Sequence, residues 1–214
     1  MSRTTKPRRL LLPTPEVCRK RCIDAAQNAG ALRDIATAAA SLGHYGAAVA
    51  LEILALEEAA KAQALGMRAM LATLEDIEVP TEGLQDVLQR KHTVRHRFAA
   101  WQLLNRELVR ISMEQFEHQL TQGPPAQRID INQAATAAVL KKSRWLKKAD
   151  GLKQRGFYVD PHGGTFPARL SRADYDEAVA IVEPYVTTTL QQAGLLPKPP
   201  KPRRLLGRYI ADDD

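Results

Sequence analysis

Two short stretches hold most of the side chains suited to acid–base or phosphate chemistry. The first, "HYGAAVALEILALEEAAKAQAL" at residues 44–65, is apolar on almost every side yet carries Glu57 and Glu58, with Lys61 one turn later. An ionised carboxylate buried without a partner is costly enough that it neutralises or the helix turns it outward. Lys61 lies four residues beyond Glu57 and three beyond Glu58, spacings at which helical side chains meet. On an exposed face such a pairing is worth only about 0.3 to 0.5 kcal/mol, so a solvated salt bridge is the plain alternative. The second stretch, "LQRKHTVRHRFAAWQLLNRE" at residues 88–107, sets His92 and His96 one turn apart with Arg95 on the same face. Packed antiparallel as a hairpin, the two helices would form a polar network of Glu57, Glu58 and Lys61 facing a cationic cluster.

That cluster has the groups that RNA cleavage without a metal requires. An imidazole moves a proton to or from the ribose 2′-hydroxyl or the leaving oxygen near neutral pH, and an arginine offsets the charge gathering on phosphorus. His92 or His96 is the candidate for proton transfer, and Arg90 or Arg95 for the phosphate. In a straight helix Arg90, six residues before His96, points about 120° away and joins only if the backbone departs from regularity. The competing reading is a charged, solvated stripe flanking packed aromatics. No cofactor or metal is expected. Cys18 and Cys22 are one turn apart but lack a second ligand pair, which favours a structural thiol pair over zinc. Glu114 and His118 miss the Glu-x-x-His interval of ferritin-like carboxylate sites.

The elements that must position these groups are helical. Thr14-Pro15-Glu16 combines an N-cap hydroxyl, a ring that presets the first helical residue and a first-turn carboxylate, starting a helix that runs to a break at Gly43. A second helix from about Tyr45 to Leu74 is apolar all round and therefore central. A third runs from about Glu82 to Leu120, with Phe98, Trp101, Leu108, Ile111 and Phe116 near helical spacing. "NQAATAAVLKKSRWLKKADGLKQ" gives a fourth, and a last spans Arg172 to Ala193. No credible strand pair or repeat emerges. The fold class is all-α: an antiparallel bundle of about five helices with an ordered Gly/Pro-containing loop at 156–167, in which His162 reads as a turn residue.

Residues 1–12 read as a flexible basic arm, 13–194 as a single helical domain and 195–214 as a Pro-rich basic tail. The net charge of +7 is concentrated in these arms and in 141–155, which fits RNA or ribosome contact. No apolar run approaches the roughly 20 residues that span a bilayer, and the N-terminus lacks a signal-peptide pattern, so no membrane association and a cytoplasmic location are expected.

"LGHYGAAVALEILALEEAAKA", "KHTVRHR" and "GFYVDPHGGTFP" resemble, in that order, the AbiV-type abortive infection proteins within the HEPN group of small helical domains. The resemblance runs from about Asn28 to Tyr185. It implies a HEPN-like helical fold, a homodimer and a role in phage defence. Many HEPN proteins are ribonucleases with an Arg-x(4–6)-His motif, a spacing that Arg90 and His96 match, although Lys91 stands where active members commonly carry a polar amide. The AbiV-like pattern carries over to Glu57, Glu58, Lys61 and His92, with Arg95 at a position where lysine is expected. Two functions follow. One is an abortive-infection effector acting on RNA or the translation machinery, a metal-independent ribonuclease among its forms. The other is a non-catalytic module recognising a phage or host protein, as in a toxin–antitoxin-like system.

Overall fold

The computed structural model describes residues 13–71, Val87, 92–122, 128–158 and 167–197. Five long helices make up these regions: α1 (Pro15–Ser41), α2 (Tyr45–Leu71), α3 (His92–Gln122), α4 (Arg128–Phe157) and α5 (Arg172–Gln192), with a 3-10 turn at Pro167–Arg169. The described residues contain no strand. The all-α bundle expected from the sequence is therefore the observed fold. Arg90, His162, the start of the expected third helix at Glu82, most of the 156–167 loop, residues 1–12 and residues 198–214 of the basic tail lie outside the described residues.

Local signals set the helix ends. The Thr14 hydroxyl accepts from the Val17 amide at 3.4 Å, and Pro15 occupies the first turn, where its missing N–H is no loss. Gly43 closes the α1–α2 turn at φ 79°, a left-handed conformation that a β-carbon disfavours. Ser171 and Asp174 start α5 with a reciprocal capping box.

The centre of the bundle is α2, which touches the other four helices and the 3-10 turn. Its small residues explain how. Ala48, Ala55, Ala59, Ala60 and Ala62 are fully buried, interspersed with Val49, Ile53 and Leu56, so neighbours approach closely on every side. Tyr185, Val182 and Val186 of α5 and Trp145, Leu146, Ala149 and Leu152 of α4 complete the core.

Two glycines bring the backbones nearer still. A methyl group on Gly156 would collide with the Gly46 carbonyl oxygen and the Ala50 side chain, and one on Gly46 would collide with the Pro167 carbonyl. Glycine is thus required where α2, α4 and the 3-10 turn meet.

Along α2 and α1 the contacts run in opposite senses, Cys22 lying near Gly66 and Arg33 near Glu52. Along α3 they advance together: Glu57 meets His92 and His96, and Met67 meets Gln102. So α3 does not return along α2 as a hairpin partner; over this stretch it runs in the same sense as α2, with its N-terminal turns against the middle of the central helix. Ala99 and Leu103 face the core, whereas Trp101, expected on the apolar stripe, is exposed.

Candidate functional site

Glu57 is only 1% exposed, and four nitrogen-bearing side chains from two helices converge on it. His92 donates from Nδ1 to Oε2. His96 Nε2 lies 3.0 Å and Lys153 Nζ 2.7 Å from Oε1. The Arg95 guanidinium stands 3.8 Å from Oε2 and is held by a 3.1 Å bond from its Nε to the Val87 carbonyl. Arg95, His96 and Lys153 are themselves buried.

Burial would push the Glu57 carboxyl upward. The hydrogen bonds from His96, Lys153 and His92 and the Lys153 charge outweigh that and hold it down at about 2. Because the carboxylate is ionised, each hydrogen in these bonds belongs to its nitrogen partner. His92 therefore carries its proton on Nδ1 and presents Nε2 away from Glu57. Its side chain is 50% exposed, while His96 is enclosed.

The helices dictate this convergence. His92, Arg95 and His96 occupy one face of the first turns of α3, as their spacing predicts. Lys153 comes from the last turns of α4, one turn before Gly156, where α4 lies directly on α2. Asp150 shares Lys153 at 3.3 Å.

Of the seven residues singled out in the sequence, Glu57, His92, Arg95 and His96 come together. Glu58 and Lys61 do not join them. They pair with each other at 2.5 Å along the flank of α2, Glu58 being 18% exposed, the local salt bridge that their spacing allowed. Lys61 thus serves Glu58, and the counter-charge for Glu57 is Lys153. That residue escaped notice, although it keeps helical register with Leu146, Ala149 and Leu152, the buried face of α4; a lysine on an apolar stripe is the signal.

Also missed was Glu52, fully buried on α2 with Arg33 Nε at 3.3 Å from its Oε2 and its Oε1 without a hydrogen-bond partner. Burial raises its carboxyl to about 7, against the opposing pull of Arg33 and with a further push from Glu183.

Both oxygens of Glu57 are engaged by N–H donors and two cations stand beside it, a donor set that favours an ionised carboxylate and repels a metal ion. Among the described residues no group of three or more His, Cys, Asp or Glu is placed to hold one. Cys18 and Cys22 are free thiols, both raised by burial.

The family model of AbiV, a HEPN family, matches residues 18–184. The chain belongs to the AbiV family. The resemblance read from three sequence motifs is therefore borne out, and the matched span holds every residue of the Glu57 centre. Family membership assigns a role in abortive infection, the defence against phage. No curated protein and no solved structure matches the chain. Among the described residues no helix is long and apolar enough to cross a membrane.

Proposed function

We propose that this AbiV-family protein restricts phage growth in the cytoplasm by cleaving RNA, free or in the translation machinery, without a metal ion, and that it works as a homodimer. The observation that supports this most is the half-exposed His92 ring anchored through Nδ1 on the buried Glu57 carboxylate. In such a pair the carboxylate fixes the imidazole orientation and stabilises the imidazolium that forms when the outward nitrogen takes a proton.

In the proposed reaction His92 Nε2 removes the proton of a ribose 2′-hydroxyl. The 2′-oxygen bonds to the adjacent phosphorus while the P–O5′ bond breaks. A 2′,3′-cyclic phosphate and, after the leaving oxygen takes a proton from water, a 5′-hydroxyl result, and the His92 imidazolium returns its proton to solvent. Arg95, acting by its charge from its buried place beside Glu57, and Arg90 are the candidates that offset charge on the phosphate. His96 contributes from the enclosed side of Glu57, holding the carboxylate.

The test is cleavage of total RNA by the purified protein in chelator. The wild type is expected to cut and His92→Ala to lose at least about 100-fold, the usual scale of a general acid–base contribution. Cleavage unchanged in His92→Ala removes His92 from the reaction.

A second reading rests on a separate observation. Trp101, Val109 and Met113 are exposed on α3, within about 120° of one another by helical period, an apolar stripe suited to a protein partner. A non-catalytic module recognising a phage or host protein would lose phage protection when these residues are made polar and keep it in His92→Ala.

A further inference from the structure

Lys153 stands out in the Glu57 centre because no solvated alternative explains it. A lysine normally keeps its ammonium in water by extending its stem. Here the ammonium is drawn into the bundle, 2.7 Å from Glu57 Oε1 and 3.3 Å from Asp150 Oδ1. Its bond lies on the oxygen of Glu57 opposite the one that accepts from His92. The carboxylate is thus gripped from both sides: Lys153 and His96 on Oε1, His92 and Arg95 on Oε2. A carboxylate pinned in plane in this way presents one lone pair in a fixed direction, and the His92 ring takes its orientation and tautomer from it.

We propose that Lys153 is a positioning residue for His92, acting through Glu57: by fixing Oε1 and balancing the carboxylate charge it keeps Oε2 as the acceptor that holds His92 with its proton on Nδ1 and its Nε2 lone pair directed outward. The catalytic part of this inference rests on the ribonuclease reading above; the structural part does not. Among the described residues, the charged and titratable groups facing Glu57 are His92, Arg95 and His96 from α3 and Lys153, with Asp150 behind it, from α4. Among the described residues, removing Lys153 leaves Arg95 at 3.8 Å as the nearest permanent cation, too long for a good hydrogen bond, and leaves His96 as the group that grips Oε1.

The experiment compares wild type, Lys153→Met, Lys153→Arg and Lys148→Met, the last an exposed lysine of the same helix outside the centre. Imidazole 15N spectra of His92 read its tautomer, and RNA cleavage in chelator reads kcat and KM. Wild type, Lys153→Arg and Lys148→Met are expected to show His92 protonated on Nδ1. Lys153→Met is expected to show a mixture of tautomers, with kcat lowered about 10- to 100-fold, the scale of one lost charge-assisted hydrogen bond, and KM little changed. If Lys153→Met does not fold, Lys153→Gln, which keeps a donor and removes the charge, takes its place with the same expectations. An unchanged His92 tautomer in the folded Met or Gln variant overturns the inference. A lost tautomer in a protein whose wild type leaves RNA uncut sustains the positioning role and overturns the ribonuclease reading instead.

Discussion

Glu52 and Glu57 lie on the same helix, five residues apart, and both are shut away from water, yet their chemistry is opposite. Glu57 meets four nitrogen groups and is held at about 2. Glu52 meets Arg33 through one oxygen, feels the like charge of Glu183, and is raised to about 7. Burial is common to both, so it does not decide the protonation state. The number and placement of donors around the carboxylate does. The central helix thus carries one carboxylate that is ionised throughout the physiological range and one poised to lose its charge within it.

The largest test of this contrast is Glu57→Leu. It removes the carboxylate beside the buried Arg95 and leaves Lys153 with only the partly exposed Asp150, and breaking a buried pair from one side costs about 3 to 5 kcal/mol. Urea unfolding at neutral pH should show that loss.

Acidity separates the two sites further. Glu57, depressed in the folded state, contributes stability that is complete above its unfolded value of 4.5 and is lost as pH falls through about 2. Glu52, raised in the folded state, contributes stability that is complete below 4.5 and is lost as pH rises through about 7. Each swing is on the order of 3 kcal/mol. Urea midpoints should therefore rise between pH 8 and pH 5 in the wild type, and Glu52→Gln should remove most of that slope without touching the acid limb.

Next in size is Gly156→Ala. Its methyl group pushes α4 off α2 beside Lys153, an overpacking cost of about 1 to 3 kcal/mol, and should disturb the His92 and His96 ring resonances while leaving the Arg33–Glu52 pair intact. A variant whose ring resonances stay in place would break the link between the helix crossing and the centre.

The smallest effect belongs to Lys61→Ala, which removes the partly exposed partner of Glu58. A change within about 0.5 kcal/mol is expected, measured by the same unfolding curves. A cost of several kcal/mol would mean that Lys61 serves Glu57 after all.

The bundle was legible because the signals were local: Thr14-Pro15 for a start, Gly43 for a break, and Ala-rich periodicity that made α2 central. Half of the polar centre was legible for the same reason, since His92, Arg95 and His96 share a face by arithmetic alone. Lys153 was not, because it reaches Glu57 across 96 positions of sequence and only the Gly46–Gly156 crossing brings it there. Lys61 misled because a partner at i+4 is the nearest explanation a single helix offers, and Glu58 was available to satisfy it. The assumed α2–α3 hairpin failed at a similar limit: helix order fixes which elements exist, whereas the segment between them decides their direction.

The claim on which the rest depends is that Glu57 is a buried carboxylate kept ionised by converging donors. Side-chain carboxyl 13C spectra of the glutamates, followed from pH 8 to pH 4, test it directly. The structure predicts that Glu57 remains ionised at pH 4 while Glu52 has taken up its proton near pH 7. Protonation of Glu57 near 4.5, the value of a free glutamate, would contradict it.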